Sequence, residues 1–179
     1  MNNSVAKTYN RKNVSFSHGK GVYLYTTNGD TYMDLAAGIA VNILGHSNEK
    51  LVEALKAQAE KLWHVSNLYN IEEQQKLAEK LTSSSFADKV FFCNSGAEAV
   101  ECTIKAARRY HFTKGNTEKN KIITFKGSFH GRTLGTIAAA NNSSHLEGFG
   151  LPLEGFVNIE RNNVNELRSS VDDNIAAIL

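Results

Sequence analysis

The sequence predicts an α/β fold with a mostly parallel sheet, and three observations lead to that class. Val90–Cys93 is a short apolar run typical of a buried strand, Asn94–Gly96 breaks it, and from Ala97 apolar residues recur at helical spacing. A second apolar run, Ile122–Phe125, is again followed by a helical pattern, and a third occupies Ile175–Leu179. Strands that alternate with helices in this way indicate βαβ units.

The first part of the chain has a different pattern. Residues 1 to about 20 are polar and are predicted to be irregular. The β-rich runs Val22–Thr26 and Thr31–Leu35 flank Asn28-Gly29, a dipeptide typical of a tight hairpin turn. Ala36–His46 follows, and its small apolar residues predict a packed connector.

Apolar spacing and capping residues predict the remaining elements. In chain order they are a helix over Leu51–Leu62, a helix capped by Asn70 and Glu73 that carries Leu77 and Leu81, a helix at Leu134–Ala140, a long loop over Asn141–Gly155, a helix carrying Val164, Leu167 and Val171, and a last strand at Ile175–Leu179.

We divide the chain into an N-terminal segment, residues 1–62 with the hairpin at 22–35 and a linking helix, and the first part of a large sheet domain, residues 63–179. A parallel sheet needs cover on both faces and more strands than this sequence supplies. The final apolar run also resembles a buried strand cut short. We therefore expect the chain to be the front part of a larger protein.

The composition excludes several classes of function. The 179 residues are 41% hydrophobic and carry a formal net charge of only +2, without a basic run that aromatic residues interrupt, so we do not expect nucleic-acid binding. The cations at the end of the central helix, such as Arg108, complement its dipole. No membrane span or secretory signal is expected. Cys93 and Cys102 are expected to be reduced core residues, which favours the cytoplasm.

The start of the central helix is a candidate anion site. Ser95 and Glu98 fit the S-x-x-E capping box. A helix begins with unpaired N–H groups and the positive end of its dipole, and Gly96 has no side chain to keep a phosphate away. A plain capped helix explains the same residues, and it is the favoured interpretation of this stretch taken alone.

A second loop, Lys126–Thr133, supplies the other candidate groups. In an α/β sheet ligands bind at the carboxyl ends of the strands, and both loops follow predicted strands. A phosphorylated aromatic cofactor and a carboxylate substrate would use the phosphate turn, the ring of Phe129 and the forked cation of Arg132. Taken singly, Phe129 could be a core aromatic, Arg132 a surface ion-pair partner and His130 a satisfied loop histidine. The motifs of P-loop enzymes, α/β-hydrolases and zinc sites are missing from the sequence.

Together the two loops resemble a known family. NSGAEAVE at Asn94–Glu101, followed by SFHGRT at Ser128–Thr133, resembles the class III (subgroup II) pyridoxal-phosphate aminotransferases. The match extends to Gly21–His46 and Leu62–Asn70, which are similar to the branch of the family that acts on N-acetylornithine. The resemblance implies an incomplete fold-type I pyridoxal-phosphate-dependent transferase with an N-terminal hairpin segment.

The resemblance also implies roles for individual residues. The N–H groups of Gly96 and Ala97 would bind the phosphate of pyridoxal 5'-phosphate, with Ser95 nearby. Phe129 would stack on the pyridine ring, and Arg132 would pair with the substrate α-carboxylate. The implied reaction transfers the δ-amino group of N-acetylornithine to 2-oxoglutarate, a step in arginine biosynthesis, in a homodimer without nucleic-acid or membrane partners.

The sequence departs from the family pattern in one respect. The catalytic Schiff-base lysine, and the aspartate that partners the pyridine nitrogen, belong to a family segment that this sequence does not contain, and Lys126 is not at the position of that lysine. We therefore assign no catalytic residue and expect the isolated chain to be inactive.

The implied reaction leaves several amino donors open. Relatives that act on free ornithine tend to carry tyrosine at the position of Gly38, and glycine leaves room for an acylated amine. The alternatives are ornithine, succinylornithine, 4-aminobutyrate or an acylated diaminopimelate as donor, or a non-catalytic remnant or binding subunit.

Overall fold

A computed structural model describes residues 4–179 of the chain, which forms two compact units. Unit 1 is Met1–Gln75 and unit 2 is Lys76–Leu179. These units reflect internal packing alone, so the division into functional segments at residues 62 and 63 stays a prediction.

Unit 1 contains a three-stranded antiparallel sheet in the order β1-β2-β3. The strands are Phe16–Lys20 (β1), Tyr23–Thr26 (β2) and Thr31–Met33 (β3). The predicted hairpin is confirmed as β2 and β3, with Gly29 at a φ of 92° in the turn. The prediction that residues up to about 20 are irregular is wrong over β1. This strand is almost wholly exposed, so its pairing with β2 produces no apolar alternation in the sequence.

The two helices predicted for the first half of the chain are present as α2 (Glu49–Ala59) and α3 (Glu72–Ser83). They follow a short turn that was not predicted, α1 (Ala37–Ala40). In unit 1 the segment Ala36–His46 is largely exposed, which contradicts its prediction as a packed connector. Its glycine and small residues serve an unusual backbone conformation instead, described below.

Unit 2 has the predicted α/β architecture. Its parallel sheet has the order β5-β4-β6, with β4 at Lys121–Phe125, β5 at Phe156–Ile159 and β6 at Ile175–Ile178. Its helices are α4 (Gly96–Thr113), α5 (Leu134–Ala140), α6 (Ser143–Leu146) and α7 (Val164–Ser170).

The sequence patterns did not predict β5 and α6. Asn158 places a polar side chain inside β5, and its Nδ2 donates to Thr124 Oγ1 on β4 over 3.1 Å. The hydrogen bond satisfies the amide within the sheet, but the polar residue interrupts the apolar run that predicts a strand. α6 is a single short turn within the predicted loop.

The core of unit 2 lies on both faces of β4. One cluster contains Ile104, Ile122 and Ala139, and the other contains Ile123, Ile159 and Ile175. α5 is buried from its second residue to its last, because its small side chains let the helix pack closely on its neighbours. The sheet and α5 thus form a rigid base for the loops at the carboxyl end of β4.

The predicted strand Val90–Cys93 is not a strand in this structure. A strand requires a hydrogen-bonded partner, and this segment pairs with no strand of the described residues. Phe91 is 67% exposed, and Cys93 is exposed rather than a core residue as predicted. Both cysteines are free, as expected. Within residues 4–179, no helix is both long and apolar enough to cross a membrane.

The side chain of Arg108 makes specific contacts within unit 2 and is not simply a solvated cation at the end of α4, which is what the sequence suggested. Its Nε donates to the Asn120 carbonyl over 3.0 Å and its Nη2 to the Glu154 carbonyl over 2.9 Å. The guanidinium also lies 5.4 Å from the centre of the Phe156 ring. Arg108 therefore ties α4 to the segments that precede β4 and β5.

Candidate functional site

The turn before α4 has the predicted capping geometry, with one difference. Ser95 is the N-cap, and its Oγ accepts from the Glu98 N–H over 3.2 Å. The Glu98 carboxylate returns to the Asn94 N–H over 2.6 Å, one residue before the N–H used in a standard capping box. The hydrogen bonds from Asn94 hold the pKa of Glu98 below its ordinary value, so its negative charge is retained beside the helix start.

This capping leaves two N–H groups available for a ligand. Among the described residues, the N–H groups of Gly96 and Ala97 have no hydrogen-bond acceptor. A Cβ placed on Gly96 would meet nothing within 4 Å, so the space before the helix is open. The start of α4 therefore offers two free donors in an open position, as a phosphate group requires.

The loop after β4, residues 126–133, is held against the start of α4. Gly131 has a φ of 124°, and a Cβ there would lie 2.8 Å from the Cβ of Ala97. Only glycine permits this approach. Thr133 Oγ1 donates to the Glu101 carboxylate, and a Cβ on Gly135 would lie 2.6 Å from that same carboxylate. The loop after β4 therefore lies against the start of α4, although the segment before α4 is not the strand that was predicted.

Phe129 and Arg132 are both presented to solvent from this loop. The Phe129 ring is 69% exposed, and the Arg132 guanidinium lies 5.7 Å from its centre. In the described residues no acidic side chain forms an ion pair with Arg132. An exposed ring beside an uncompensated guanidinium suits a ligand that is both planar and anionic.

His130 differs from the other side chains of this loop. Its Nε2 is buried and has no hydrogen-bond partner among the described residues. Burial lowers the pKa of the imidazole, which favours its neutral form. The simple interpretation of His130 as a satisfied loop histidine is therefore wrong. The sequence carries no signal for this, because burial of one ring nitrogen depends on the surrounding fold.

A pocket of about 190 Å³ adjoins Arg132. Ser144, His145 and Phe149 line it together with Leu134 and Ile137. Ser144, His145 and Phe149 could not be identified from the sequence, because the stretch after α5 has no periodic pattern. The pocket places a hydroxyl and an imidazole near the guanidinium, on an apolar base.

Lys126 belongs to a separate ion pair. Its Nζ donates to Glu160 Oε1 over 2.6 Å, and this bond raises the pKa of the lysine. A catalytic lysine needs a lowered pKa to act as a nucleophile. The contacts of Lys126 therefore give no support to a catalytic role for this lysine.

These groups fit part of a pyridoxal-phosphate site. The free N–H groups of Gly96 and Ala97 suit the phosphate, the Phe129 ring suits the pyridine face, and Arg132 suits a substrate carboxylate. The hydroxyl of Ser95 accepts from the Glu98 N–H over 3.2 Å and donates to Glu98 Oε2 over 3.4 Å, which leaves one lone pair for a ligand.

The fold is that of the fold-type I pyridoxal-phosphate-dependent transferases. The ornithine aminotransferase of Toxoplasma gondii ME49 superposes on this chain with a TM-score of 0.92 and 27% sequence identity. The match covers 98% of this chain and 42% of that protein.

The family follows from the sequence. The profile described as Aminotransferase class-III matches residues 4–179, and the chain belongs to this family. The acetylornithine aminotransferase of Agrobacterium fabrum is 56% identical over 172 residues, and that of Brucella melitensis is 55% identical over 172 residues. Each match covers 96% of this chain and 43% of the relative, so the chain spans less than half the length of these relatives. Membership of the family supports pyridoxal phosphate as the cofactor.

Proposed function

We propose that this chain takes part in the transfer of the δ-amino group of N-acetylornithine to 2-oxoglutarate, with pyridoxal phosphate as cofactor. Relatives from several bacteria that are about half identical to the chain carry the name acetylornithine aminotransferase. The structural observation that carries the proposal is the close approach of Gly131 to Ala97. This approach supports the proposal because it holds the loop that carries Phe129 and Arg132 against the start of α4.

In this proposal the residues of the chain bind and orient. Gly96 and Ala97 donate their N–H groups to the cofactor phosphate, and the hydroxyl of Ser95 lies beside them. Phe129 covers one face of the cofactor ring, and Arg132 pairs with the α-carboxylate of the amino donor in a bidentate manner. Bound pyridoxal phosphate supplies the electron sink that the reaction needs. The fixed positions of these donors lower the entropy that is lost when the substrate is oriented.

The catalytic lysine is not assigned to this chain. Lys126 is paired with Glu160, and its raised pKa keeps it protonated. We propose that the covalent step depends on a residue outside these 179 positions, and that the isolated chain does not catalyse turnover. Incubation of the chain with pyridoxal phosphate, N-acetylornithine and 2-oxoglutarate tests this directly, because measurable glutamate formation would contradict it.

Donor selectivity is proposed to depend on Gly38. Its φ is 64°, and a Cβ there would lie 3.3 Å from Asn42 Nδ2. The family resemblance implies that tyrosine at this position accompanies free ornithine as donor and that glycine accompanies an acylated amine, which favours N-acetylornithine. The likeness to the Toxoplasma gondii ornithine aminotransferase keeps ornithine as the second candidate donor.

We also propose a cytoplasmic homodimer. Both units expose large apolar side chains, among them Trp63 at 86%, Leu68 at 87% and Phe86 at 100% exposure. Such surfaces are typical of regions covered by further protein. The free thiols of Cys93 and Cys102 are compatible with a reducing compartment.

A chimera provides the test of the donor and of the reaction. This chain replaces the matching 43% of the Agrobacterium fabrum relative, and this protein is called the chimera below. We expect kcat/KM for N-acetylornithine to exceed that for ornithine, succinylornithine and 4-aminobutyrate by at least about tenfold, which corresponds to about 1.4 kcal/mol of transition-state binding. A higher kcat/KM for any of the other amines would contradict the proposed donor. A cofactor-loaded chimera without turnover would support a non-catalytic binding role.

A further inference from the structure

The loop after β4, called the β4 loop below, is attached to α4 on both sides of Arg132. On one side Gly131 lies against Ala97, where an added Cβ would come within 2.8 Å of the Ala97 Cβ. On the other side Thr133 Oγ1 donates a hydrogen bond to the Glu101 carboxylate. The backbone of Arg132 therefore lies between two attachment points that are each one residue away.

The two attachment points lie on one face of α4. Ala97 and Glu101 are four positions apart, so their side chains are neighbours on the helix surface. Ala97 also contributes one of the two N–H groups that have no acceptor among the described residues. The helix that offers donors to a phosphate thus also carries the contacts that fix where Arg132 leaves the loop.

The Glu101 carboxylate fits closely against the start of α5. A Cβ on Gly135 would lie 2.6 Å from Glu101 Oε1 and 2.9 Å from its Oε2, so only a residue without a side chain leaves room for the carboxylate. Thr133 is the N-cap of α5, and its Oγ1 accepts from the Thr136 N–H over 3.4 Å. Glu101 therefore connects α4 to the residue at which α5 begins.

The α5 side of this connection is rigid. Thr136 is fully buried, its Oγ1 donates to the Thr133 carbonyl over 3.0 Å, and a Cβ on Gly131 would lie 3.0 Å from the same Oγ1. Thr133 cannot shift far without disturbing a buried residue. Its bond to Glu101 is therefore well placed to define the position of the loop relative to α4.

The same contacts leave the guanidinium of Arg132 available. The carboxylate of Glu101 is bonded to the hydroxyl of Thr133 rather than to the neighbouring arginine. Within the described part of the chain, no acidic side chain forms an ion pair with Arg132. A carboxylate paired with the guanidinium would compete with a ligand carboxylate, so bonding to the hydroxyl preserves the positive charge for the ligand.

We propose that Glu101 is a positioning residue that acts through Thr133 and fixes the guanidinium of Arg132 relative to the phosphate-binding end of α4. The inference rests on the proposed function, in which Arg132 binds a substrate carboxylate. Glu101 touches neither cofactor nor substrate in this proposal. Its loss is expected to weaken carboxylate binding and to leave cofactor binding unchanged, because the N–H groups of Gly96 and Ala97 do not depend on it.

The first measurement is the binding of glutarate to the chimera loaded with pyridoxal phosphate. Glutarate is a dicarboxylate without an amino or keto group, so it binds without reacting. We expect Glu101→Ala to raise the Kd for glutarate about fivefold, the loss of one hydrogen bond, and to leave the Kd for pyridoxal phosphate within about twofold. Glu101→Gln is expected to recover glutarate binding, because its amide oxygen still accepts from Thr133. Glu118→Ala, which removes an exposed carboxylate from the turn before β4, is the control.

The decisive comparison repeats Glu101→Ala in the Arg132→Ala chimera. If Glu101 acts through the guanidinium, its removal has nothing left to misplace, and we expect a further change of less than about twofold in the Kd for glutarate. A merely structural role would weaken binding by the same factor in both backgrounds.

Hydrogen exchange of the peptide that spans the β4 loop measures the positioning without any ligand. In Glu101→Ala we expect exchange to rise at least about fivefold, and in Glu101→Gln to stay close to the parent. Glu101→Asp keeps the charge but withdraws the carboxylate from Thr133 by one methylene, and is expected to resemble Glu101→Ala.

The outcomes separate the two proposals. An unchanged Kd for glutarate in Glu101→Ala, in a chimera where Arg132→Ala weakens glutarate, would overturn the positioning role. An equal effect of Glu101→Ala in both backgrounds would also overturn it. If Arg132→Ala leaves glutarate binding unchanged, the carboxylate role in the proposed function fails, and exchange of the β4 loop alone decides whether Glu101 holds the loop. If Glu101→Ala does not fold, Glu101→Asp and Glu101→Gln answer the same question.

Discussion

Two loops, residues 126–133 after β4 in unit 2 and residues 34–46 in unit 1 (the 34–46 loop), are held in place in two different ways. In unit 2 the backbone itself makes the contact, because Gly131 brings the loop against Ala97. In unit 1 side chains make the contact, because Asp34 joins the left-handed turn at residues 37–40 to His46. The first loop carries the charged and aromatic groups, and the second presents apolar side chains on a strained backbone.

The difference suggests what each loop contributes. Close backbone packing leaves the side chains of the β4 loop exposed, so we expect changes to those side chains to affect ligand binding strongly. The side-chain contacts of the 34–46 loop instead set the shape of its backbone, so we expect changes there to affect the stability of unit 1. The following predictions test this contrast, from the largest expected effect to the smallest.

The largest effect is expected for the free guanidinium in the β4 loop. In the chimera, Arg132→Ala is expected to raise the KM for the carboxylate substrates and to lower kcat/KM about 10- to 150-fold, because a charge-assisted bond contributes about 1.5–3 kcal/mol. Arg132→Lys keeps the charge without the fork and is expected to lie between these values. Arg109→Ala, in which the lost arginine lies over Phe112 on α4, is the control. Unchanged kinetics in Arg132→Ala would contradict the carboxylate role.

The backbone contact in the same loop is tested by Gly131→Ala. The new Cβ would lie 2.8 Å from that of Ala97 at a φ of 124°, and we expect a loss of about 2–3 kcal/mol in the free energy of unfolding. Gly127→Ala is the matched control, because its φ is 74° but nothing lies within 4 Å of the new Cβ. It is expected to cost about 1 kcal/mol. Urea unfolding of the two chimeras measures both values. Equal losses would mean that the contact with Ala97 does not hold the loop.

The corresponding test in unit 1 is Gly45→Ala. The added Cβ would lie 2.8 Å from the Gly21 carbonyl oxygen, which is backbone and cannot move away, and the φ of Gly45 is 78°. We expect a loss of about 2 kcal/mol. Gly21→Ala also has a positive φ but open space, and is expected to cost about 1 kcal/mol. Thermal unfolding of the chimera measures the loss of stability, and hydrogen exchange of the 34–46 loop measures its local opening. If the loop in Gly45→Ala stays as protected from exchange as in the parent, its ends do not depend on this contact.

The capping turn of α4 gives a smaller effect with a characteristic pH dependence. The pKa of Glu98 is lowered in the folded chain by the hydrogen bonds from Asn94, so the charged carboxylate stabilises the fold above its ordinary pKa of 4.5. This stabilisation is lost as the pH falls through the lowered folded value. Glu98→Gln is therefore expected to be less stable than the parent at neutral pH and equally stable in acid.

Asn48→Ala provides the control for this pH dependence. Asn48 is the N-cap of α2, its Oδ1 accepts from the Leu51 N–H, and its removal is expected to cost about 1 kcal/mol at every pH. Urea unfolding of both variants from neutral pH to below 4.5 distinguishes the two. A deficit in Glu98→Gln that persists in acid would contradict the role of the charged carboxylate.

The contrast between the loops also explains what could be predicted from the sequence. The hairpin β2–β3 and the helix α5 follow from local signals, namely Asn28-Gly29 and the periodicity of Leu134–Ala140. Phe129 and Arg132 were identifiable because a short loop after a strand contains chemically distinctive side chains. The rule for the carboxyl ends of parallel strands suggested that this loop lies near α4, but the observed proximity depends on the close approach of Gly131 to Ala97, since Val90–Cys93 is not a strand.

The left-handed turn could not be predicted in this way. Alanine and isoleucine at positions 37, 39 and 40 do not favour positive φ, and the contact that holds them joins Asp34 to a histidine twelve positions away. The pocket beside Arg132 and the buried Nε2 of His130 depend on tertiary packing in the same way. The strand predicted at Val90–Cys93 failed for a related reason, because a strand forms only where a partner is present.

The smallest effect is expected for Lys126, the only lysine in the β4 loop. Its bond to Glu160 joins two side chains that are 53% and 58% exposed, and exposed ion pairs contribute about 0.2–1 kcal/mol. Lys126→Met in the chimera is therefore expected to lower the free energy of unfolding by less than about 1 kcal/mol and to leave kcat within about twofold. Glu160→Gln removes the same ion pair from the other side and should match it in stability. Loss of turnover in Lys126→Met alone would show that the lysine takes part in the chemistry. It would also show that the β4 loop supplies more than binding groups.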